Sequence, residues 1–192
     1  MAPVTNEESS IYTYADLFAG CGGLSLGLEW AGFHRVAAIE MSRDAALSYY
    51  HNLICRQELS SYQWTEFVKS SELQINSGLI IGNIIDRLDS LITSCKKRST
   101  HLDLIAGGPP CQGFSVAGKR DPSDPRNTLI DYVVEATRLL KPKVVLMENV
   151  PAIDIPFNGG KKTGSALEVL LKKLGEQDYI ASVFHLKSSL VG

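Results

Sequence analysis

Short apolar runs alternate with helix-length segments along most of the chain, and this alternation limits the fold more than any other feature. The runs are rich in β-branched or aromatic residues and predict strands at Tyr12–Phe18, Arg35–Ile39, Leu79–Gly82, Leu102–Ala106, Val144–Met147 and Ile180–Leu186. The segments between them repeat apolar residues at the helical period and predict helices at Leu24–Ala31, Asp44–Asn52, Ile85–Ser94, Leu129–Leu140 and Ser165–Leu174. This order predicts an α/β fold, a doubly wound and mostly parallel sheet with helices on both faces. Ligands of such sheets bind at the carboxyl ends of the strands.

Residues 54–77 interrupt the alternation, because they are too many for a simple connection between a helix and a strand. We expect an insertion here that carries a short helix of its own. It is either a surface excursion or a contact surface for another chain, with Tyr62, Trp64 and Phe67 as the anchors.

The bulk properties describe an ordinary globular protein. The chain has 192 residues, of which 44% are hydrophobic and 21% charged, which fits one domain with a single core. It lacks an apolar run of the roughly 20 residues that a membrane helix needs, and its polar, acidic start does not resemble a secretory signal. The four cysteines are scattered without a C-x-x-C pair, so we expect no zinc site or disulfide framework and a reducing, intracellular setting.

The net charge is −2, and the basic residues form only short clusters. Proteins that grip nucleic acid usually carry a clear basic face, because neutralised phosphates supply much of the affinity. Either this chain does not bind nucleic acid, or the main binding surface lies elsewhere.

A glycine-rich turn, residues 16–24 (Asp-Leu-Phe-Ala-Gly-Cys-Gly-Gly-Leu), joins the first predicted strand to the first predicted helix. Glycines let the backbone approach a ligand closely, although the G-x-G-x-x-G spacing of dinucleotide binders is absent. Two polar strand ends accompany the turn. The Glu40 carboxylate can accept hydrogen bonds from both ribose hydroxyls, and the Asn83 amide can meet an adenine edge. Together these features predict a site for an adenosine-containing ligand.

Cys111 is the candidate nucleophile. It follows a predicted strand on a Gly-Gly-Pro-Pro turn whose prolines fix the backbone, and a glycine-punctuated segment typical of active-site loops comes after it. Glu148 follows the Val144–Met147 run in the same way. A thiol and a carboxylate at neighbouring strand ends suit nucleophilic attack on an electron-poor heterocycle.

Three blocks carry a resemblance to a known family: residues 16–24, residues 108–115 (Gly-Pro-Pro-Cys-Gln-Gly-Phe-Ser) and residues 148–150 (Glu-Asn-Val). They resemble the motifs of the cytosine-5 DNA methyltransferases and occur in that family's order. The resemblance runs from about Tyr14 to the end of the chain. It implies a sheet of the S-adenosylmethionine-dependent methyltransferase type, S-adenosyl-L-methionine as methyl donor, double-stranded DNA as partner and a place in a restriction–modification system.

The resemblance also implies roles for single residues. The cofactor-binding set is Phe18, Gly20, Cys21, Gly22, Gly23, Leu24, Glu40, Met41, Asn83, Ile84 and Pro109. The set that meets the substrate or belongs to its loop is Pro110, Gln112, Gly113, Phe114, Ser115, Arg126 and Asn149. The family more often has an acid at position 83, so Asn83 implies an altered cofactor affinity.

The family's chemistry assigns the catalytic pair. Cys111 is implied to add to C6 of cytosine, while Glu148 hydrogen-bonds the ring N3 and the amino group. Methyl transfer to C5, loss of the C5 proton and elimination of the thiol then release 5-methylcytosine. The cytosine must be flipped out of the duplex to be reached, and residues 115–126 are implied to close over it.

The family pattern continues past Glu148 with a Gln-x-Arg-x-Arg block, a target-recognition domain and a C-terminal helix, which do not occur in residues 1–192. We therefore expect one C-terminally incomplete catalytic domain. A second polypeptide carrying those parts completes it, or it is a truncated product that methylates nothing. The gap should lie between the Val144–Met147 and Ile180–Leu186 strands and leave apolar surface exposed, so the chain alone should be poorly active and prone to associate.

Three alternatives stay open at this point. The tRNA-directed branch of the same family would methylate cytosine in RNA. A scaffold protein would bind cofactor without catalysis. A nicotinamide-dependent oxidoreductase is disfavoured by the glycine spacing and by the Pro-Pro-Cys-Gln block.

Overall fold

The computed structural model describes residues 12–55, 57, 59–99, 101–110, 129–155, 165–187 and 189. Five strands form one sheet: β1 (Thr13–Leu17), β2 (His34–Glu40), β3 (Leu79–Ile81), β4 (Leu104–Gly107) and β5 (Val144–Met147). Their order is β3-β2-β1-β4-β5, and every adjacent pair is parallel. The predicted doubly wound α/β sheet is therefore confirmed.

In the described residues, seven α-helices connect or flank these strands. They are α1 (Gly23–Trp30), α2 (Arg43–Tyr49), α3 (Ser61–Lys69), α4 (Ser71–Ser77), α5 (Ile84–Arg98), α6 (Leu129–Leu140) and α7 (Ala166–Gly175). Side-chain caps determine where several of them begin: Ser42 for α2, Asn83 for α5, and Ser165 for α7, where it forms a capping box with Glu168. In the part of the chain that the structure describes, no helix is both long and apolar enough to span a bilayer.

The helices cover the sheet on both faces. On one face, α5 and α6 pack over the alternating strand residues that form the largest core cluster, which includes Leu17, Ile39 and Ile105. On the other face, α1 packs over β1 and β4, and α2 packs with α3 over β2 and β3. Apolar burial on both faces of a parallel sheet explains why its central strands are continuous apolar runs.

Asp103 fastens the amino-terminal ends of three strands. Its carboxylate accepts hydrogen bonds from the Thr13 backbone amide (2.8 Å) and hydroxyl (3.1 Å) and lies 2.7 Å from the Lys143 ammonium. These partners lower the pKa of Asp103 to about 2, with the Lys143 ammonium as the largest cause. The carboxylate therefore ties β1, β4 and the approach to β5 together at neutral pH.

The insertion at residues 54–77 contains two helices, α3 and α4, and its aromatic residues mostly face inward. Phe67 is buried, and Trp64 stacks on it with ring centroids 5.5 Å apart, while Tyr50 packs against both rings. The expectation that Tyr62, Trp64 and Phe67 anchor a partner is wrong for Phe67 and Trp64, because they fill the space between the insertion and α2. Tyr62 alone of the three is exposed.

The predicted strand at Ile180–Leu186 is also wrong. Residues 180–187 belong to no helix or strand, and Ile180, Phe184 and Leu186 are at least 80% exposed. An isolated apolar run cannot form a strand without a neighbour to supply its hydrogen bonds. The apolar pattern of this segment is typical of a strand. The pattern carries no information on whether a neighbouring strand is present, and none of the described residues pairs with it.

Candidate active site

The carboxyl ends of all five strands lie at one edge of the sheet, and the candidate residues follow directly from them. Strand order reverses between β1 and β4, which is where ligands bind in sheets of this type. The glycine turn follows β1 and the Gly-Pro-Pro turn follows β4, so both flank the reversal point.

Glu40 at the end of β2 holds the glycine turn in place. One carboxylate oxygen accepts a hydrogen bond from the Gly20 amide (2.8 Å), and the other accepts one from the Ser42 amide (2.7 Å). Each oxygen keeps a lone pair, so the carboxylate can still accept from a diol. Within the turn, Phe18 has φ 61°, a left-handed conformation that is uncommon for a residue with a side chain.

Position 22 requires glycine, because neighbouring side chains leave no space for a Cβ atom there. A Cβ there would lie 2.5 Å from Leu53 Cδ1 and 3.0 Å from Tyr49 Cδ2, and the residue has φ 95°. Leu53 belongs to a turn of π-helix, Tyr50–Ile54, that continues α2 into the insertion. By contrast, a Cβ at Gly20 or Gly23 would meet no atom of the described residues within 4 Å, so in this part of the structure these two positions border open space that a ligand can approach.

A buried polar group lies beneath the turn. The Ser25 hydroxyl donates to Asp16 Oδ2 (2.6 Å) and lies 2.7 Å from the Tyr49 hydroxyl, while Asp16 Oδ1 is buried and has no hydrogen-bond partner among the described residues. Burial raises the pKa of Asp16 to about 7, although the Ser25 hydrogen bond opposes the shift. An unpaired buried carboxylate oxygen beside a glycine turn is a ready acceptor for a cationic ligand.

The adenine side of the predicted site is only partly as expected. The Asn83 carbonyl oxygen caps α5 by accepting from the Ile85 amide (3.1 Å), which leaves its NH₂ group as the part that could meet a ligand. Ile84 is buried in the core rather than displayed. Met41 and Cys21 are exposed, whereas Leu24 and Phe18 pack partly into the core.

These residues fit S-adenosylmethionine. The open space at Gly20 and Gly23 admits a ligand against the backbone, and Glu40 offers two acceptors for a ribose. Beneath the same turn, the buried Oδ1 of Asp16 has no hydrogen-bond partner among the described residues and is left as an acceptor.

The substrate side of the site is built on two glycines. A Cβ at Gly107 would lie 3.0 Å from the Leu17 carbonyl oxygen, and one at Gly108 would lie 3.2 Å from Glu148 Oε2. Gly107 therefore lets β4 approach the end of β1, and Gly108 leaves room for the Glu148 carboxylate. Glu148 is exposed, and its amide donates to the Gly107 carbonyl (3.0 Å) as the last rung between β4 and β5.

Pro109 is buried and Pro110 exposed, and Asn149 donates from its side-chain amide to the Pro109 carbonyl (3.0 Å). The other predicted residues of this side lie outside the described residues. They are Cys111, Gln112, Gly113, Phe114, Ser115 and Arg126. The sequence predictions did not single out Asp16, Ser25 or Tyr49. Asp16 could have been found as the one charged residue in the apolar run of β1, whereas Ser25 and Tyr49 carry no signal until the fold joins them.

Comparison with known proteins identifies the family. The model described as C-5 cytosine-specific DNA methylase matches residues 12–192. The Type II methyltransferase M1.HphI of Haemophilus parahaemolyticus is 34% identical over 159 residues, which is 81% of this chain and 37% of that protein. The Type II methyltransferase M.HgiGI of Herpetosiphon aurantiacus is 38% identical over 135 residues, which is 70% of this chain and 87% of that protein.

A solved structure gives the same result for the fold. The crystal structure of an E. coli protein, described as a DNA modification methyltransferase encoded within a prophage, matches with a TM-score of 0.58 and 27% identity. The match covers 86% of this chain and 38% of that one. The chain thus spans well under half the length of M1.HphI and of this solved protein.

The C-5 cytosine-specific DNA methylases use S-adenosylmethionine, the cofactor that the glycine turn, Glu40 and Asp16 fit. The match from Tyr12 to the last residue covers nearly the whole chain, and it includes all three sequence blocks around the site. The chain belongs to the C-5 cytosine-specific DNA methylase family.

Proposed function

We propose that the chain is the S-adenosylmethionine-binding and catalytic part of a DNA (cytosine-5-)-methyltransferase of a restriction–modification system. Its family and its Type II relatives, which come from bacteria, support this activity and a cytoplasmic setting. The observation that carries the catalytic part is the position of the Glu148 carboxylate, whose Oε2 would lie 3.2 Å from a Cβ at Gly108. It brings a carboxylate against the turn that leads, three residues on, to Cys111.

The cofactor half of the site is formed by β1, β2 and the turn between β1 and α1. Glu40 would bind the ribose hydroxyls, and the Gly20 and Gly23 backbone would lie against the methionine part. The Asn83 NH₂ group would meet the adenine edge. When bound, S-adenosylmethionine supplies the methyl group that cytosine C5 receives.

Cys111 and Glu148 would carry the chemistry on cytosine. The Cys111 thiolate adds to C6, and a proton held at N3 by Glu148 balances the negative charge that the addition places on the ring. C5 becomes nucleophilic as a result. After methylation, a base removes the C5 proton, and the electron pair expels the Cys111 thiolate and restores the aromatic ring. Flipping of the cytosine from the duplex would precede these steps.

We further propose that residues 1–192 form one catalytic domain with an insertion at 54–77, and that a second polypeptide completes it. That polypeptide would bring the Gln-x-Arg-x-Arg block, the target-recognition domain and the C-terminal helix. The apolar face of β5 supports this proposal. Val144 and Leu146 continue the row of Leu104 and Ala106 that α1 covers, yet among the described residues nothing covers them, and they are 51% and 41% exposed.

The test is covalent trapping on duplex DNA that contains 5-fluorocytosine, with S-adenosylmethionine and the completing polypeptide present. Fluorine at C5 cannot leave as a proton, so the Cys111 adduct should accumulate. We expect the wild-type protein to form it, Cys111→Ser to form none, and Glu148→Gln to form it at least 10-fold more slowly. An equivalent tRNA substrate should give no adduct. Absence of an adduct on DNA, or an adduct that survives Cys111→Ser, would refute the proposal.

A further inference from the structure

Asn149 connects the ends of two neighbouring strands through one side chain. Its Nδ2 donates to the Pro109 carbonyl in the turn after β4 (3.0 Å), and its Oδ1 accepts from the Val150 amide just after β5 (2.9 Å). The residue is half-buried. Both polar atoms of the amide are therefore used, one on each strand end.

This connection lies beyond the regular ladder. The last backbone hydrogen bond between β4 and β5 runs from the Glu148 amide to the Gly107 carbonyl. Pro109 has no amide hydrogen to offer, so a further rung cannot form in the usual way. Among the described residues, the Asn149 amide supplies the next cross-strand hydrogen bond, between residues that each lie two positions past the end of their strand.

The position of this bond matters for Glu148. The Glu148 carboxylate lies against Gly108, between the last rung and the Asn149–Pro109 bond. If the Pro109 carbonyl moved away from Asn149, no side-chain bond would fix the distance between the Glu148 carboxylate and the Pro109–Pro110 turn. Asparagine is suited to the task because it donates and accepts together, whereas an ionised aspartate only accepts and would oppose the Pro109 carbonyl.

We propose that Asn149 is a positioning residue that holds the Pro109–Pro110 turn, and hence the entry to Cys111, in register with Glu148. The proposal rests on the function proposed above. Misplacement of reacting groups by about 1 Å costs on the order of 100-fold in rate, so loss of this bond should slow adduct formation strongly. The cofactor groups at Glu40 and in the glycine turn lie on β2 and after β1 and are not held by this bond.

Asn149→Asp separates the two bonds, because it keeps an acceptor for the Val150 amide and loses the donor to Pro109. In the completed protein we expect adduct formation on 5-fluorocytosine DNA to slow at least 10-fold. Hydrogen exchange at Val150 and the dissociation constant for S-adenosylmethionine should stay within about twofold of wild type. Asn76→Asp, the same change at an exposed residue of α4, serves as the control.

Three outcomes would overturn the proposal. If Asn149→Asp forms the adduct at the wild-type rate, the bond to Pro109 does not position the turn, although the proposed function stands. If the variant also loses cofactor binding or Val150 protection, Asn149 has a general structural role. If wild type forms no adduct, the proposed function fails and the positioning role fails with it.

Discussion

The two outer strands of the sheet, β3 and β5, differ in how far the rest of the described chain covers them. At the β3 edge, all three strand residues are buried, and Gln74 of α4 closes the edge. Its Oε1 accepts from the Ile81 amide (3.0 Å), and its Nε2 donates to the carbonyls of Phe67 and Val68. At the β5 edge, every second residue is exposed, and no described element covers that face. The first edge is completed by the chain's own insertion, whereas the second needs a surface from elsewhere.

This difference follows the division of the site. The cofactor half lies on the closed side, where a glutamine side chain substitutes for a strand and prevents pairing with another chain. The substrate half lies on the open side, next to the face that we assign to a second polypeptide. Stability should therefore be most sensitive to substitutions on the closed side, and association most sensitive to those on the open side.

Breaking the closed edge should have the largest effect. Gln74→Leu keeps the volume of the side chain but removes the partner of the Ile81 amide and of the Val68 carbonyl, while the Phe67 carbonyl keeps its bond from the Ser70 amide. Buried polar groups without hydrogen bonds are costly, so we expect a loss of about 3 kcal/mol in the free energy of unfolding. Urea unfolding measures this loss, and hydrogen exchange at Ile81 should show where it occurs.

The matched control is Gln63→Leu on α3, an exposed glutamine that takes part only in a capping box. It should cost no more than about 1 kcal/mol. Equal losses for the two variants would contradict the view that Gln74 closes the edge.

On the closed side, the buried carboxyl of Asp16 lowers the stability of the folded chain when it is ionised, so the free energy of unfolding should depend on pH. Burial raises the pKa of Asp16 in the folded chain to about 7, above its ordinary value of 3.8, so between these pH values the folded state keeps a proton that the unfolded state has lost. Stability from this group is thus present at low pH and declines as pH rises to about 7. Asp16→Asn cannot titrate, so between pH 5 and pH 8 wild type should lose about 2 kcal/mol relative to the variant.

Unfolding free energies at several pH values measure this difference. Asp89→Asn, at an exposed position of α5, should follow the wild-type curve. Parallel curves for wild type and Asp16→Asn would mean that Asp16 titrates normally. We also expect Asp16→Asn to bind S-adenosylmethionine more weakly. The aspartate would then lower the stability of the folded chain at neutral pH while it strengthens cofactor binding.

The smallest effect on stability is expected at the open edge. Leu146→Lys places a charge on a side chain that is already 41% exposed, and we expect a change within about 0.5 kcal/mol in the unfolding of the chain alone. Binding of the completing polypeptide, followed by sedimentation, should nevertheless be lost. Trp30→Lys, an equally apolar but unrelated exposed position on α1, should leave binding intact. If both variants bind normally, β5 is not the contact surface.

The sequence was sufficient for the order of elements and for most of the strand ends. The bounds of α6 and β5 match the prediction, because amphipathic and apolar periods are strong there. It was insufficient where a residue's meaning depends on a distant partner. From sequence, Phe67 was a candidate anchor for a partner, and only the fold shows that it packs against Tyr50. The sequence around Gln74 likewise does not indicate that its side chain bonds the Ile81 amide. The strand at 180–186 failed for the same reason, since pairing is not a local property.

The contact between Gly22 and Leu53 links two parts of the chain that sequence separates. Because Gly22 has φ 95° and also faces Tyr49, a smaller residue at position 53 would not make room for a side chain at position 22. The π-helical turn that leads into the insertion therefore packs directly on the glycine turn. Replacement or removal of the insertion should leave residues 50–54 in place, because the glycine turn is shaped against them.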